Sequence, residues 1–353
     1  MVKKKSIKIG KRFIGDGYKP FIIAEVAQSH GGNIKKVHKF IKMISKTGAD
    51  AIKFQTHIAD AESTLDEPFR VKISDKYNTR YDYWKSMEFN FTQWKKIYNY
   101  SKKYGLIFLS SPFSVEAVKL LKKVGVPAWK VGSGEFFSDN LISSMIKTKL
   151  PILLSTGMSN NNEIDKRIKF LKKNLAKFGI FQCTSMYPSS LKLIGLNVVR
   201  EFKKKYNCPV GLSDHTGSIF SGMAALANGA NILEVHVNVD NNINNPDLSS
   251  SVNLIDLKRL CDARDAFFLI ENHPVDKNRM SHRLKNMKRI FGKSLALKKD
   301  LKKNTILKAK LLTTKKPGFG IPENKINLII GKKLRNDVPR NRLLRWKDFY
   351  AKT

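Results

Sequence analysis

The stretch Gly211-Leu212-Ser213-Asp214-His215-Thr216 follows a short apolar run and carries a histidine at its end, and Glu234-Val235-His236 repeats this arrangement one unit later. Short apolar runs of this kind predict buried strands. The two histidines are 21 positions apart (236 − 215), so neighbouring strands would deliver both imidazoles to one pocket. The pair predicts a divalent-metal site, and a hydrogen-bonded histidine pair without metal is the alternative.

The same unit, a β-rich run followed by a lysine-rich stretch with helical apolar spacing, repeats from Phe21 to about Ile270. Eight such units in about 250 residues predict an α/β fold, the (β/α)8 TIM barrel. A doubly wound open sheet is the alternative, but its glycine-rich dinucleotide turn is absent. The predicted strands are Phe21–Ala27, Asp50–Thr56, Leu106–Pro112, Ala128–Gly134, Pro151–Gly157, Ile180–Ser185, Pro209–Asp214 and Ile232–Val237. Predicted helices include Ile34–Thr47, Phe91–Tyr104, Val115–Val124, Asn162–Phe178, Val198–Tyr206 and Ser218–Asn228.

Two connections are too long to be simple links. Residues 57–90 form a polar and aromatic excursion after the second strand, and Asn238–Ser251 follows the eighth. Loops of this length in a compact domain are usually lids or binding elements. Both would emerge at the same mouth of a barrel.

The pattern changes after Asn272: His273–Lys293 is predicted to be a basic linker with a short helix, and a smaller β-rich segment with an internal pseudo-repeat follows it. Leu297, Asp300, Leu301, Asn304 and Leu307 recur at a constant offset of 37 as Leu334, Asp337, Val338, Asn341 and Leu344. Two such halves are predicted to pair about a pseudo-twofold axis. The predicted division is a barrel over residues 1–280, a linker over 281–293 and a small β-rich domain over 294–353.

The composition is that of a soluble globular protein, but the net charge of +37 is extreme. A net charge of this size is typical of proteins that bind nucleic acids or anionic surfaces. The lysines are spread through most helices and loops, and no nucleic-acid-binding motif is present, so a solvated basic surface is the preferred interpretation. The three cysteines are scattered, and the sequence shows neither an apolar leader nor an apolar run of membrane length. We therefore predict a cytoplasmic protein that binds neither nucleic acid nor membrane.

Polar side chains stand at the predicted carboxyl ends of the strands, where barrels of this type hold their active sites. A cationic pocket rich in hydroxyl donors, suited to a small phosphorylated carboxylate, is predicted from Lys53, Lys130, Ser133, Ser155 and Ser213. His215 and His236 would leave coordination positions open on a metal, as Lewis-acid catalysis of a carbonyl requires, with Glu25 or Asp247 as candidate carboxylate supplements. Glu135 and Tyr187 are predicted to contact a second, neutral, polyhydroxylated substrate.

An ordered set of motifs spanning nearly the whole chain resembles the sialic acid synthase family. The tail resembles the antifreeze-like (SAF) domain, a β-clip, of that family. The motifs are Phe21-Ile22-Ile23-Ala24-Glu25, Lys53-Phe54-Gln55-Thr56, Ser111-Pro112-Phe113, Lys130-Val131-Gly132-Ser133-Gly134-Glu135, Ser155-Thr156-Gly157-Met158, Cys183-Thr184-Ser185-Met186-Tyr187-Pro188, Gly211–Thr216 and Lys316-Pro317-Gly318-Phe319-Gly320-Ile321.

The resemblance implies that the protein condenses phosphoenolpyruvate with an open-chain N-acylated hexosamine and water and releases phosphate. It implies a divalent metal on His215 and His236, with Mn²⁺ preferred over Mg²⁺ or Co²⁺. It also implies a domain-swapped homodimer in which the tail of one chain caps the barrel of its partner. The implied phosphoenolpyruvate residues are Lys53, Lys130, Ser133, Ser155 and Ser213. The residues implied to act on the sugar or the intermediate are Gln55, Glu135, Tyr187 and Asp247. Glu25 is implied to be a proton carrier or a partner of metal-bound water. Further contacts with the sugar are implied for Asn78 and Lys316.

Three positions depart from the family pattern and are predicted to bear on which sugar is used. Val235 and Leu248 replace other residues of the strand-eight motifs, and Lys316 stands where the family has an arginine, whose planar two-donor contact a lysine cannot repeat. N-acetylmannosamine and a diacetylated, legionaminic-type sugar both remain candidates. Two other readings stay open: another phosphoenolpyruvate–aldose condensing enzyme, and a basic nucleic-acid or polysaccharide binder on an inactive barrel.

Overall fold

The computed structural model describes residues 6–70, 76–239 and 246–350. The chain forms two compact units, Met1–Asn272 and His273–Thr353. Within the described residues, no helix is both long and apolar enough to cross a membrane. Lys3-Lys4-Lys5, Asn245 and parts of the two long connections predicted above lie outside the described residues.

The first unit is a nearly closed barrel of eight parallel strands, which confirms the predicted (β/α)8 fold. The hydrogen-bonded path runs β5-β4-β3-β10-β9-β8-β7-β6, and β5 and β6 at its two ends lie against each other. A hairpin, β1 and β2, precedes the barrel, and a short strand, β11, pairs with β10. The strands are β1 (Ile7–Ile9), β2 (Arg12–Ile14), β3 (Phe21–Ala27), β4 (Ala51–Thr56), β5 (Ile107–Pro112), β6 (Trp129–Val131), β7 (Ile152–Ser155), β8 (Phe178–Cys183), β9 (Val210–Asp214), β10 (Ile232–Val237) and β11 (Ser251–Val252).

Helices surround the barrel, and most begin at a side-chain cap. Asn90 and Asn160, for example, each open a helix with a reciprocal capping box to a Gln or Glu three residues later. The helices of this unit are α1 (Ile34–Ile44), α2 (Ala59–Glu62), α3 (Arg80–Met87), α4 (Phe91–Lys103), α5 (Val115–Val124), α6 (Asp139–Ile146), α7 (Asn161–Lys173), α8 (Leu196–Lys205), α9 (Ile219–Ala227) and α10 (Leu254–Glu271).

The alternation of side chains along β10 shows how the barrel separates its core from its site. Leu233, Val235 and Val237 pack into the core between the strands and the helices. Ile232 faces the barrel interior, in a core that the hairpin residues Ile7, Ile9 and Ile14 complete. Glu234 and His236 follow Ile232 at intervals of two, so they share its face one and two steps nearer the carboxyl end. Apolar side chains therefore fill the amino-terminal half of the interior and polar ones line the other half.

Several predicted element limits were wrong where a turn replaces a regular element. The predicted helix Asn162–Phe178 ends at Lys173, because Leu175 adopts a left-handed conformation with φ of 54° and leaves its side chain in solvent. This turn lets β8 begin at Phe178, before the predicted Ile180. Strand β6 ends at Val131 instead of Gly134, because Gly134–Phe137 forms a 3-10 turn.

The second unit contains two short helices and a small sheet, and its two halves are related as the pseudo-repeat predicts. Leu301 and Val338, which are equivalent at the offset of 37, exchange both backbone hydrogen bonds, at 3.0 and 2.8 Å. The Asp300 side chain accepts from the Arg340 backbone, and its equivalent Asp337 accepts from Lys303. The elements are α11 (Lys277–Arg283), α12 (Lys285–Phe291) and the antiparallel pair β12 (Ser294–Leu297) and β13 (Leu312–Lys315).

The predicted linker over 281–293 contains helix, in agreement with the short helix predicted within His273–Lys293. It holds the end of α11 and all of α12, whose side chains remain largely in solvent. The contacts divide the two units after Asn272, ahead of the predicted limit at residue 280.

Candidate active site

Two buried lysines converge on one buried glutamate at the carboxyl end of the barrel. The Nζ atoms of Lys53 on β4 and Lys130 on β6 lie 3.7 and 3.4 Å from Oε1 of Glu234 on β10. Ser213 Oγ, on β9, donates to the same oxygen at 3.2 Å. The sequence predicts Glu234 only as a polar strand end, yet it is the point at which three predicted substrate-binding residues meet.

A second carboxylate completes the charge balance of this inner pocket. Lys53 Nζ lies 2.5 Å from Glu25 Oε2 and donates to Ser111 Oγ at 3.2 Å. Lys130 Nζ donates to Ser155 Oγ at 2.7 Å. All of these side chains are buried, so each charge depends on its partners in place of bulk water.

The electrostatics of the pocket separate the two lysines. Burial opposes the charge on each ammonium, but Glu234 and Glu25 outweigh it at Lys53 and raise the pKa of that residue. At Lys130 burial prevails and lowers the pKa. Burial would raise the pKa of Glu234, but Lys130 and Lys53 overcome it and lower that pKa to about 2. Glu234 is thus held as a carboxylate between two cations.

Ser133 lines the remaining edge of the inner pocket, a cavity of about 60 Å³, and is held there by Gly157. The backbone N–H of Gly157 donates to Ser133 Oγ at 3.0 Å. A Cβ added at Gly157 would lie 2.3 Å from Ser185 Oγ and 2.8 Å from Ser133 Oγ. The glycine is therefore required for close approach of the backbone to these hydroxyl groups.

His215 and His236 lie side by side above this pocket, with ring centroids 5.2 Å apart. His215 Nδ1 lies 2.9 Å from the Thr184 carbonyl oxygen, which fixes the proton on Nδ1 and leaves the Nε2 lone pair available. Burial, reinforced by His236, lowers the pKa of His215 to about 3, so its imidazole is neutral. His236 Nδ1 lies 3.7 Å from Asp247 Oδ2.

This arrangement fits a two-histidine metal site. A neutral imidazole whose other nitrogen is held by a carbonyl is a typical metal ligand. Over the described ranges 6–70, 76–239 and 246–350, no group of three or more His, Cys, Asp and Glu side chains is arranged to hold a metal. A metal held by this pair would keep most of its coordination positions for water and substrates.

A larger cavity of about 410 Å³ adjoins the inner pocket and shares Gln55, Tyr187 and His236 with it. Glu135 lines the larger cavity, and burial raises its pKa to about 7. The Tyr187 ring lies against that of His215, with centroids 4.1 Å apart and ring planes tilted by 35°. The predicted sugar-facing residues Gln55, Glu135, Tyr187 and Asp247 therefore come together in this outer cavity.

Arg70, in the long connection after β4, closes one side of the outer cavity and was not predicted as a site residue. Its Nη2 donates to Asp247 Oδ1 at 2.9 Å, and its guanidinium lies 4.2 Å from the centroid of the Tyr187 ring. The partners are 177 positions apart, so no local signal connects them. The unusual length of the connection was the only sequence indication of a role.

One predicted contact in the barrel unit lies away from the site: Asn78 is exposed in the same connection and lines neither cavity. Lys316 belongs to the second unit, where its Nζ lies 5.6 Å from the Phe291 ring centroid, and its predicted contact with the sugar stays a prediction. Val235 packs into the core between strands and helices and lines neither cavity, so an effect of this departure on the sugar stays a prediction.

The site can hold a small dianion against two ammonium groups and present a neutral, hydroxyl-rich molecule beside it. The inner pocket provides charge-assisted hydrogen bonds, which are the strong ones. The outer cavity offers an amide, a protonatable carboxyl group and aromatic surfaces. The histidine pair stands where the two meet and lines the inner pocket.

Comparison with known proteins agrees with this geometry. The model of the NeuB family matches residues 40–272, and that of the SAF domain matches residues 292–349. The N,N'-diacetyllegionaminic acid synthase of Campylobacter jejuni is 32% identical over 93% of this chain and 99% of its own length. A pseudaminic acid synthase of Campylobacter jejuni is 32% identical over 94% of this chain and 97% of its own. The solved N-acetylneuraminic acid synthetase of Leptospira borgpetersenii superposes with a TM-score of 0.71 and 26% identity over 80% of this chain and 97% of that one.

Proposed function

The chain belongs to the NeuB family and carries a SAF domain, and we propose that it is a nonulosonic acid synthase acting on phosphoenolpyruvate and an open-chain N-acylated hexosamine. The observation that carries the proposal is the convergence of Lys53 and Lys130 beside a histidine pair, at the floor of a cavity large enough for a sugar. Water is the third substrate, and phosphate is the second product.

The inner pocket supports the assignment of phosphoenolpyruvate. Its phosphate and carboxylate are anionic and compact, and they match the two ammonium groups and the surrounding hydroxyl groups. In the proposal these groups are contacted by Lys53, Lys130, Ser133, Ser155 and Ser213. Glu234 holds both lysines in place and keeps the pocket from carrying two uncompensated positive charges before the substrate arrives.

The outer cavity supports the assignment of the sugar. Gln55 and Glu135 line it, and Tyr187 provides an apolar face flanked by Arg70. Glu135, neutral below about pH 7, can donate a hydrogen bond to a sugar oxygen. The relatives named above make different nonulosonic acids at similar identity, so likeness does not select the sugar. We propose N-acetylmannosamine or a diacetylated hexosamine.

The reaction forms one carbon–carbon bond, forms one carbon–oxygen bond from water, and breaks the carbon–oxygen bond to phosphate. C3 of phosphoenolpyruvate attacks the aldehyde carbon, water adds at C2, and C2–O cleavage releases phosphate. A divalent metal, Mn²⁺ in the proposal, would be held by His215 and His236, and when bound it would polarise the aldehyde as a Lewis acid. In the proposal Glu25 takes a proton at its carboxylate from the incoming water. This carboxylate is ion-paired to Lys53 and accepts a hydrogen bond from the Ala27 backbone N–H at 3.1 Å.

Phosphate release from purified protein tests the proposal. Release should require both phosphoenolpyruvate and an N-acyl hexosamine, stop with a chelator and return with Mn²⁺. Mass spectrometry of the product identifies the sugar from a panel. Turnover with a phosphorylated tetrose or pentose instead would indicate another condensing enzyme, and salt-sensitive nucleic-acid binding without turnover would indicate a binding protein on an inactive barrel.

We also propose the domain-swapped homodimer that the family resemblance implies. The second unit leaves apolar side chains such as Ile290, Phe291 and Phe319 in solvent, which favours a partner surface. Sedimentation of the full chain should give twice the monomer mass of 40.2 kDa. A monomer at micromolar concentration would contradict this part of the proposal.

A further inference from the structure

His57, directly after β4, is held between two aromatic rings at the wall of the outer cavity. Its ring stacks on Trp84 of α3 at 4.0 Å between centroids and on Phe113 after β5 at 4.4 Å, with interplanar angles of 12° and 13°. Both faces of the imidazole are therefore covered, and its two nitrogen atoms are left to make the polar contacts. A residue packed in this way has a fixed ring plane.

Polar groups determine which nitrogen carries the proton. Nδ1 is bonded to Glu62 Oε1, and the other Glu62 oxygen accepts from the Ile58 backbone N–H at 3.3 Å. Nε2 lies 2.6 Å from Gln28 Nε2, an amide nitrogen that can only donate, and at the longer distance of 3.3 Å from Gln55 Oε1. The arrangement is consistent when His57 is neutral, donates from Nδ1 to Glu62 and accepts at Nε2 from Gln28.

The same Gln28 amide nitrogen connects His57 with the active site by a second hydrogen bond. It donates to Gln55 Oε1 at 2.6 Å, and Gln55 Nε2 in turn donates to Glu25 Oε1 at 3.4 Å. Glu25 is the carboxylate paired with Lys53 in the inner pocket. These hydrogen bonds form a continuous series from the Glu62 carboxylate to the Glu25 carboxylate, and each N–H in the series points toward an acceptor.

We propose that His57 and Glu62 are positioning residues that set the amide orientation of Gln28 and Gln55 and thereby hold Glu25 for the condensation. The inference rests on the proposed function, because it assigns Gln55 and Glu25 to that reaction. If His57 carried its proton on Nε2, that N–H could donate to Gln55 Oε1 at 3.3 Å but would face the Gln28 amide nitrogen at the shorter distance of 2.6 Å. To accept from that N–H, the Gln28 amide would have to exchange the positions of its oxygen and nitrogen. Its oxygen would then face Gln55 Oε1, unless the Gln55 amide exchanged its two atoms as well. A flipped Gln55 would present its oxygen to the Glu25 carboxylate.

The first test reads the tautomer without depending on activity. In protein carrying ¹⁵N-histidine, at about pH 8, His57 should show a protonated Nδ1 and an unprotonated Nε2 that accepts a hydrogen bond. Its resonances are assigned by their loss in His57→Phe. Glu62→Leu should shift the population toward the Nε2–H tautomer, and Glu62→Gln should shift it less, because an amide oxygen still accepts from Nδ1. An Nε2–H tautomer in the unaltered protein would overturn the inference.

The second test is kinetic. His57→Phe keeps the aromatic stack but removes both nitrogen atoms, and Glu62→Leu removes the acceptor. Each should lower kcat by about 10- to 100-fold, the range for residues that orient a catalytic group, with KM for both substrates within about threefold. Combining them should cost little more than either alone, since both act through the same amides. Glu62→Gln should restore most of the rate.

His38→Phe is the matched control. His38 stacks on Tyr100 at 4.2 Å, and its Nε2 has no hydrogen-bond partner among the described residues, so this exchange of ring type disturbs no polar chain there. Its kcat should equal that of the unaltered protein. Unchanged kcat in both His57→Phe and Glu62→Leu would overturn the inference. Failure of the unaltered protein to turn over any sugar would instead reject the proposed function, and the tautomer measurement would still decide the hydrogen-bonded order.

Discussion

The inner pocket and the outer cavity of this barrel are built in different ways. The inner pocket of about 60 Å³ is made mainly of strand residues whose side chains meet within a few ångströms, and its four charges balance. The outer cavity of about 410 Å³ depends on residues of the long connection, which reach across the mouth to distant partners. A rigid pocket suits phosphoenolpyruvate, which all proposed variants of the reaction share. A cavity whose wall is a long connection suits the sugar, which differs between these variants.

The strongest test of the inner pocket is Lys130→Met. It leaves Glu234 with Lys53 as its remaining ammonium and deprives the bound anion of one cation. We expect kcat/KM for phosphoenolpyruvate to fall by about 100- to 1,000-fold, as for loss of a preorganised electrostatic contact. Breaking a buried pair should also cost about 3–5 kcal/mol of stability. Lys119→Met on the exposed surface of α5 is the control, and an equal loss there would refute the assignment.

Close packing in the inner pocket is tested by Gly157→Ala. The added Cβ would overlap Ser185 Oγ and Ser133 Oγ, and we expect a loss of about 1–3 kcal/mol in the free energy of unfolding. KM for phosphoenolpyruvate should rise as Ser133 moves. Gly134→Ala, in the neighbouring turn, meets no heavy atom of the described residues within 4 Å and should leave both quantities unchanged. Similar denaturation midpoints for the two variants would contradict this view.

The outer cavity makes a pH-dependent prediction through Glu135. Burial raises its pKa from 4.5 to about 7, so the folded protein binds this proton more tightly than the unfolded chain. Folding stability from this group is therefore full below about pH 4.5 and is lost as the pH rises through 7. Glu135→Gln should match the unaltered protein in thermal stability near pH 4.5 and exceed it near pH 8. Melting curves whose difference is constant over this range would contradict the assignment.

The smallest effect is expected at the edge of the outer cavity, from Arg70→Lys. The lysine keeps the charge but cannot repeat the planar stack on Tyr187. Because the Arg70 side chain is 40% exposed, its pair with Asp247 should contribute no more than about 1 kcal/mol. KM for the sugar should rise about fivefold and KM for phosphoenolpyruvate should stay constant. A change confined to phosphoenolpyruvate would mean that the two regions are not separate.

Sequence reasoning found the inner pocket better than the outer cavity. Strand side chains alternate with a period of two, and the carboxyl ends of parallel strands meet at one rim, so the sequence alone suffices to place Lys53, Lys130 and His236 together. Glu234 is predicted at the rim without a role, because its two lysines approach from β4 and β6 on other parts of the barrel. Asn78 was assigned from a loose resemblance in an irregular connection, and the structure leaves it in solvent.

Local residue patterns were enough to predict the barrel, the pseudo-repeat of the tail and the set of groups around the histidine pair. Each of these follows from a periodicity or an offset that local residues carry. Three contacts could be seen only in the folded chain: Glu234 lies between the two lysines, Arg70 donates to Asp247, and His57 lies between Trp84 and Phe113. These contacts join segments far apart in the chain, and the path of an irregular connection is set by packing against the whole barrel, which no local pattern records.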